Sequence, residues 1–343
     1  MDVRKTPTIQ DVAKHACVST ATVSRALSKP EHVSEEMRGR VHAAVRATGY
    51  TVNLAARSLR KRLTKTILVA VPDIGNTFFS VIIDAIEREA TSRGYGVLVT
   101  NRVAGEDSNK ILQHYFQSNR ADGLLLFDGN IDVSALRPPT GEAHRWPIVV
   151  ACEEIPGSKL NTIVTDNLAA AQCATQHLID IGHKKIAHLA SPIDNILYSS
   201  RHSGYLAAHK ASGLPDRTEY TISGDFSLDS GAQAAKTLLS LEDPPTAVFC
   251  SNDEMAIGFI SEASALGYKC PEDISVVGFD DIAVSSRITP PLTTIHQPRG
   301  EIGRLATERL IEILEGVCTS SEPERVVLKS ELAVRTSTAP PKN

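Results

Sequence analysis

Four side chains near the N-terminus recur at the spacing of one helix face. They are Thr20, Ala21, Ser24 and Arg25. A guanidinium such as that of Arg25 can bind a guanine edge with two hydrogen bonds, while Thr20 and Ala21 suit base edges or a thymine methyl group. The hydroxyls of Ser19, Thr22 and Ser24 suit phosphate oxygens. This face therefore suits the major groove of DNA, the alternative being a small helical hairpin with a solvated face.

A second set of polar and aromatic side chains follows apolar runs later in the chain. Its members are Asn76 and Phe78 after residues 66–71, Arg201, Asn252 after residues 246–250, and Asp280 after residues 275–279. Guanidinium and amide groups donate to paired hydroxyls, carboxylates accept from them, and aromatic faces cover apolar ring surfaces. The shared placement of these residues after successive runs predicts a pocket for a small polyol.

The elements that carry the first set are three short helices with polar starts. Thr8, Ser19 and Ser34 stand where N-caps are expected, and Gly49 can end the third helix. The connection over residues 15–18 is short, which is typical of a helix-turn-helix rather than of a long loop.

From residue 66 onward, apolar runs alternate with amphipathic stretches. The runs predict strands over 66–71, 96–100, 123–127, 148–152, 162–165, 185–190, 246–250 and 275–279. The stretches predict helices over 79–93, 107–119, 167–181, 228–240 and 252–266. Alternating strands and helices, with little polar alternation inside the strands, indicate parallel sheets covered on both faces. Such doubly wound α/β lobes bind ligands at the carboxyl ends of their strands, where the second set lies.

Length and charge distribution both indicate separate modules. A chain of 343 residues exceeds the size of one compact core. The formal net charge is -4, yet the first 65 residues hold 13 basic and five acidic side chains, and the remainder is acidic. Clustered Lys and Arg favour a polyanion through phosphate contacts and counterion release. Charge alone is also compatible with a charged N-terminal segment that is merely solvated. The helix pattern therefore favours DNA binding.

Several other classes of protein are disfavoured by the sequence. The six cysteines lack metal-binding spacing, and the chain has no P-loop, no H-E-x-x-H motif and no convincing G-x-G-x-x-G after a strand. His177, His183 and His188 have no nucleophile partner and are interpreted as surface or packing residues. Neither a signal peptide nor a run of roughly 18 apolar residues is present. We therefore expect no enzyme activity, metal, cofactor or membrane partner, and a cytoplasmic location.

Two motifs resemble those of a known family. The run DVAKHACVSTATVSRAL over 11–27 resembles the headpiece of the LacI/GalR family of bacterial regulators, and GYTVNLAARSL over 49–59 resembles its hinge. The similarity continues through the segments 67–73, 224–226, 245–250 and 290–295 and covers nearly the whole chain. It implies a small all-α helix-turn-helix headpiece on an α/β core of two doubly wound parallel-sheet lobes, like that of periplasmic binding proteins.

In this family the hinge folds into a helix on operator DNA and a leucine enters the minor groove. The resemblance gives that role to Leu59 and further DNA contacts to Thr8, Asn53, Ala56 and Arg60. An apolar wedge that unstacks a base step is physically reasonable for such a leucine. Val52 stands where the family commonly has proline, so we expect a looser entry to the hinge helix. The alternative is a basic flexible linker. Both interpretations are compatible if the hinge is a flexible linker in the free protein and becomes a helix only on DNA.

The family binds a small effector between its lobes. The resemblance assigns the contacts to Asn76, Phe78, Asp166, Arg201, Phe226, Asn252, Asp280 and Gln297. Phe226 is expected to cover the ligand ring, while Asp166 and Gln297 lie at predicted lobe crossovers. The alternatives are structural: a helix cap for Asp166, a crossover contact for Gln297 and a core position for Phe226. Thr77 replaces the usual proline in the first ligand loop.

The predicted organisation has a headpiece over 1–49, a hinge over 50–65 and a core over 66–343. Its first lobe spans about 66–164 and 297–325, and its second lobe about 165–296 and 326–338. The resemblance predicts a homodimeric repressor, whose two recognition helices require a palindromic operator. The expected effector is a sugar, sugar phosphate or nucleoside. A periplasmic-type solute-binding protein is the alternative, disfavoured by the basic headpiece and the missing signal peptide.

Overall fold

The computed structural model describes residues 7–50, 63–101, 108–134, 136, 146–317 and 322–342. The chain divides into two compact units, Met1–Thr64 and Lys65–Asn343. Most of the expected hinge, residues 51–62, lies outside the described residues.

The described part of the N-terminal unit contains three α-helices, each of which starts after a predicted cap. They are α1 (Ile9–Ala16), α2 (Thr20–Ser28) and α3 (Glu35–Thr48). Gly49 ends α3 with a left-handed φ of 65°, a conformation that glycine adopts at little cost. Val12, Val23 and Val41 are fully buried where the three helices meet, so a few small apolar side chains fix their packing.

The first sheet of the larger unit is six-stranded and entirely parallel. Its strands are β1 (Thr66–Val71), β2 (Gly96–Asn101), β3 (Gly123–Leu126), β4 (Ile148–Ala151), β5 (Asn161–Thr165) and β11 (Arg325–Leu328), in the spatial order β11-β5-β4-β3-β1-β2. The helices α4 (Phe78–Ser92) and α10 (Arg299–Glu315) pack on one face and α5 (Ser108–Gln117) on the other. Alternate residues of β1 enter the two cores, which is why this strand is apolar throughout.

The second sheet is also six-stranded, with one antiparallel edge. Its strands are β6 (Ile186–Ala190), β7 (Thr221–Ser223), β8 (Ala247–Cys250), β9 (Ser275–Asp280), β10 (Thr293–His296) and β12 (Glu331–Ala333), in the order β12-β10-β9-β8-β6-β7. Only β12 runs antiparallel to its neighbour. The helices α6 (Asn167–Asp180) and α7 (Ile196–Ala211) pack on one face, and α8 (Leu228–Leu239) and α9 (Asp253–Ala265) on the other.

The expected fold class, a helical headpiece with two parallel-sheet lobes, is confirmed. Sequence patterns missed α7, α10, β7, β10, β11 and β12. On α7 the polar side chains of Arg201 and His209 are buried and interrupt the apolar stripe that would reveal a helix. The expected return to the second lobe after residue 325 is wrong, because β11 pairs in parallel with β5 and the chain joins the second sheet only at β12.

Candidate functional site

The outer face of α2 brings together the residues predicted to contact bases. Thr20, Ala21 and Arg25 are exposed and Ser24 is half-buried, and all four line one shallow surface groove. Gln10 and Lys29 line the same groove. Sequence patterns did not single out these two, although Lys29 directly follows the last turn of α2. The groove therefore presents amide, hydroxyl and cationic donors on one surface.

Two residues predicted to contact DNA, Thr8 and Ser19, occupy helix N-cap positions. The Ser19 hydroxyl accepts from the Thr22 amide at 3.1 Å and lies 2.8 Å from the Thr22 hydroxyl. Thr8 donates from both its amide and its hydroxyl to the Asp11 carboxylate, each at 2.8 Å. Thr8 and Ser19 are also exposed, so both side chains are accessible at the surface of the unit.

The hinge residues Asn53, Ala56, Leu59 and Arg60 lie outside the described residues. Their roles on DNA stay predictions.

A cavity of about 390 Å³ lies in the larger unit, among the carboxyl ends of strands from both sheets. The predicted ligand residues that line it are Asn76, Phe78, Arg201, Phe226, Asn252, Asp280 and Gln297. Asp166 is not among the lining residues: its carboxylate accepts from the Ala169 amide at 3.0 Å and caps α6. Asp166 thus has the structural role that the sequence left open.

Arg201 is a buried cation with unused donors. Its Nε donates to Asn167 Oδ1 at 3.0 Å, its Nη1 donates to the Ser251 carbonyl, and its guanidinium lies 3.8 Å from the centre of the Phe279 ring. Burial lowers the pKa of Arg201, and the nearby Asp280 carboxylate opposes that effect. Nη2 has no hydrogen-bond partner among the described residues, so a ligand in the cleft can accept from it.

Asp280 is the matching acceptor at the end of β9. Its Oδ1 accepts from Gln297 Nε2 at 2.7 Å, and Gln297 Oε1 accepts from the Thr165 hydroxyl at 2.9 Å. These bonds connect β5 of the first sheet with β9 of the second. Burial raises the pKa of Asp280 to about 7. Its φ of 115° is unusual for a residue with a side chain, which is typical of a position fixed by its surroundings for function.

Asn252 holds Phe226 in place. Its Oδ1 accepts from the Met255 amide at 3.0 Å, and its Nδ2 donates to the Phe226 carbonyl at 2.9 Å. Phe226 has a φ of 70°, lines the cavity and also packs on the core of the second lobe. Both predicted roles of Phe226 are therefore compatible, and Asn252 acts on the site at least partly through it.

Asn76 and Phe78 form the corresponding wall from the first lobe. Asn76 Oδ1 accepts from the Phe78 amide at 2.9 Å, which fixes the start of α4. The Phe78 ring packs edge-on against Phe79 with centroids 5.1 Å apart. Phe79 belongs to the core and also lines the cavity.

Glu153 is the main cleft residue that sequence reasoning missed. It lies two residues beyond the end of β4, so the rule that selected the other residues after strands also applies to it. Its Oε2 accepts from the Gly129 amide at 2.6 Å and its Oε1 from Asn195 Nδ2 at 3.2 Å. Burial raises the pKa of Glu153. The other polar lining residues not singled out are Asp73, Asn130, Asp194, Asn195, Asp225, Ser227 and Glu254.

Among the described residues, no three His, Cys, Asp or Glu side chains lie close enough together to hold a metal ion. None of the helices in the described ranges combines the length and apolar character needed to span a bilayer.

Comparison with protein families matches both units. Residues 8–53 match the family described as bacterial regulatory proteins, lacI family, and residues 175–338 match the periplasmic binding protein-like domain. The chain is 40% identical over 337 residues to the HTH-type transcriptional repressor CytR of Escherichia coli (strain K12), which covers 96% of each chain. It is 38% identical over 308 residues to the ribose operon repressor of the same strain, covering 89% of this chain and 92% of the repressor.

A solved structure of the lac repressor dimer bound to operator and the anti-inducer ONPF is also similar. The TM-score is 0.86 at 28% identity, and the match covers 98% of this chain and 100% of the repressor chain. The likeness therefore includes both the helical unit and the two-sheet unit.

Proposed function

Because this chain belongs to the LacI family of bacterial regulatory proteins, it is a DNA-binding transcriptional regulator, and we propose that a small polyol in the cleft controls its affinity for operator DNA. The observation that carries this proposal is the presence of both Arg201 and Asp280 in the lining of the cavity. Both side chains are more than nine-tenths buried, yet each presents a group without a partner among the described residues to the cavity.

The effector is held from two sides. Arg201 Nη2 can donate to one hydroxyl of a polyol, while Asp280 Oδ2 can accept from a neighbouring one. Phe78 from the first lobe and Phe226 from the second offer apolar faces for a sugar or base ring. A ligand that contacts both lobes favours the arrangement in which they are close, because only that arrangement makes both sets of contacts.

Gln297 connects the two lobes within the protein itself, as the effector is proposed to do from the cavity. Through Thr165 and Asp280 it connects the two sheets at the back of the cleft. A change in the contacts of Asp280 when the effector binds is therefore transmitted to the crossover between the lobes. Coupling to DNA requires that the two lobe arrangements hold the hinges of the two subunits differently.

On DNA, we propose that α2 enters the major groove. Arg25 reads a guanine edge, Thr20, Ala21 and Ser24 contact neighbouring base edges or backbone, and Thr8, Ser19 and Thr22 contact phosphate. The hinge contacts are those predicted for Asn53, Ala56, Leu59 and Arg60. A homodimer with two-fold symmetry presents two such helices, so the operator is a palindrome.

We propose three working parts: a headpiece over 1–49, a hinge over 50–65 and an effector-binding core over 66–343. Because the partner is operator DNA, we also propose a cytoplasmic location. The alternative of a solute-binding protein without a regulatory role lacks support from the relatives, which are transcriptional repressors.

The test begins with selection of an operator from a random duplex library by the full chain. Purified protein is then screened by thermal shift against sugars, sugar phosphates and nucleosides, and operator affinity is measured by fluorescence anisotropy with and without each hit. A compound that raises the unfolding temperature and changes operator affinity supports the proposal. Compounds that bind but never change operator affinity would remove effector control.

A further inference from the structure

The charged groups that line the cleft are strongly unbalanced. Among the described lining residues, the guanidinium of Arg201 is the only Lys or Arg group. The carboxylates are those of Asp73, Glu153, Asp194, Asp225, Glu254 and Asp280. A phosphate monoester brings about −1.5 to −2 charges at neutral pH. It would enter a cleft in which like charges predominate.

Glu153 is the most informative of these carboxylates. It is 6% exposed, and no basic side chain of the described residues lies within ion-pair distance of it. Its bonds from the Gly129 amide and Asn195 occupy one lone pair on each oxygen, which leaves acceptor capacity facing the cavity. A buried carboxylate without a cation is costly unless donors surround it. A ligand with O–H or N–H groups supplies such donors, whereas a phosphate dianion does not.

At four helix N-termini around the cleft, the protein itself already occupies one first-turn amide. Phosphates commonly bind free amides in the first turn of a helix. Here one amide in the first turn of each of α4, α7, α8 and α9 already donates to an Asn or Ser side chain, which leaves fewer amides for a phosphate. The capping bonds run from the Phe78 amide to Asn76 (2.9 Å), Leu197 to Asn195 (2.8 Å), Ser230 to Ser227 (3.1 Å) and Met255 to Asn252 (3.0 Å).

Acidic side chains add to this effect at α9. Asp253 and Glu254 lie in its first turn, where carboxylates interact favourably with the helix dipole and offset its attraction for an anion. Glu254 lines the cavity. Two carboxylates of the protein therefore already lie near the positive end of this helix.

From these observations we propose that the effector is an unphosphorylated polyol, either a free sugar or a nucleoside, that donates hydrogen bonds to Glu153 and Asp280, and that the cleft rejects sugar phosphates and nucleotides. The inference rests on the proposed function of the cleft as the effector site. It narrows that function, since hydroxyls can both donate to the carboxylates and accept from Arg201, while a phosphate dianion can only accept.

Two matched pairs of probes test the inference on the full-length protein by isothermal titration calorimetry. They are ribose with ribose 5-phosphate, and adenosine with adenosine 5′-monophosphate. We expect at least one parent compound to bind and its phosphate ester to bind at least tenfold more weakly. The ribose and adenosine arms distinguish a sugar from a nucleoside as the source of the polyol.

The variant Glu153→Gln tests whether the Glu153 carboxylate discriminates between the parent compound and its phosphate ester. It removes one charge at nearly constant shape, so we expect the ratio between parent and ester affinities to fall at least threefold. The matched control Glu331→Gln lies on β12, outside the residues that line the cavity, and should leave the ratio unchanged.

Three results overturn the inference: an ester that binds as tightly as its parent, a ratio that Glu153→Gln does not change, or no binding by either parent. Operator affinity is measured on the same samples. It distinguishes a failure of the inference about the ligand class from a failure of effector control. If an ester changes operator affinity, effector control stands and the inference fails. If a parent binds selectively but operator affinity never changes, effector control fails while the assignment of ligand class stands.

Discussion

Glu254 Oε1 accepts hydrogen bonds from both the amide and the hydroxyl of Thr77, at 3.2 and 2.9 Å. Thr77 immediately precedes α4 of the first lobe, and Glu254 lies in the first turn of α9 of the second. The pair therefore connects the two lobes beside the cleft. A proline at position 77 would have neither the amide hydrogen nor the hydroxyl, so the exchange of the usual family proline for threonine creates this contact.

Thr77→Val removes the hydroxyl and keeps the amide. We expect it to lower the free energy of unfolding by about 0.5–1.5 kcal/mol and to weaken effector binding severalfold, because the lobes lose one of their connections. Urea unfolding and effector titration measure the two effects. Thr91→Val is the control, since the Thr91 hydroxyl donates to Glu87 within the same helix. Equal loss of effector affinity in both variants would contradict a role between the lobes.

Arg25→Ala should cost about 1–3 kcal/mol of binding free energy at one operator base pair and relax the base preference there. Operator titrations with every base at that position provide the measurement. Lys29→Ala serves for comparison, because a cation in the same groove that contacts phosphate should weaken binding to all sequences alike. Base reading by Arg25 is refuted if its replacement also weakens all sequences uniformly.

The ligand-free protein should lose stability as pH rises from about 4 to 7. Burial raises the pKa of Asp280 to about 7, above its ordinary value of 3.8, so the folded chain keeps a proton that the unfolded chain releases in that range. Burial also raises the pKa of Asp253 to about 6 and raises the pKa of Glu153. Both groups therefore add to the loss of stability as pH rises.

Asp280→Asn isolates the contribution of Asp280. We expect urea unfolding at pH 5 to 8 to show a shallower loss of stability in the variant than in the parent chain. The variant should also lose its response to the effector, because an amide replaces the acceptor oxygens by one acceptor and one donor. A slope identical to that of the parent would show that Asp280 does not titrate in this range.

Asp253 should be essential for folding of the second lobe. It is fully buried and accepts from the Ser285 hydroxyl at 2.6 Å, the Thr294 hydroxyl at 2.5 Å and the Ile282 amide at 2.9 Å. We expect Asp253→Ala to cost about 2–5 kcal/mol, since three buried donors lose their acceptor. Asp253→Asn keeps one acceptor oxygen and should cost less. Urea unfolding that ranks the two variants equally would argue against this network.

Much of the site could be predicted because parallel α/β lobes place their ligands after strand ends. Asp280 is the last residue of β9 and Asn252 follows β8, and this placement alone was enough to select them. Glu153 follows β4 in the same way and was overlooked because one carboxylate after a strand says little about burial. Asp166 was selected from the family resemblance as a residue at a lobe crossover, yet its carboxylate is used at the start of α6.

The sequence by itself determined the local elements of this protein. The caps at Thr8, Ser19 and Ser34 and the apolar runs of the strands depend on residues close together in the chain, so their patterns are visible without coordinates. The charge separation between the first 65 residues and the rest is likewise a property of composition.

Only the tertiary structure decided which side chains share the cleft and which have unused hydrogen-bonding groups. Thr165 and Gln297 are 132 residues apart, and strand order rather than local pattern brings them together. The same holds for the balance of carboxylates around Arg201, because burial and electrostatic coupling depend on distances in space. Local chemistry thus set the kinds of residue available, and long-range packing set what they can bind.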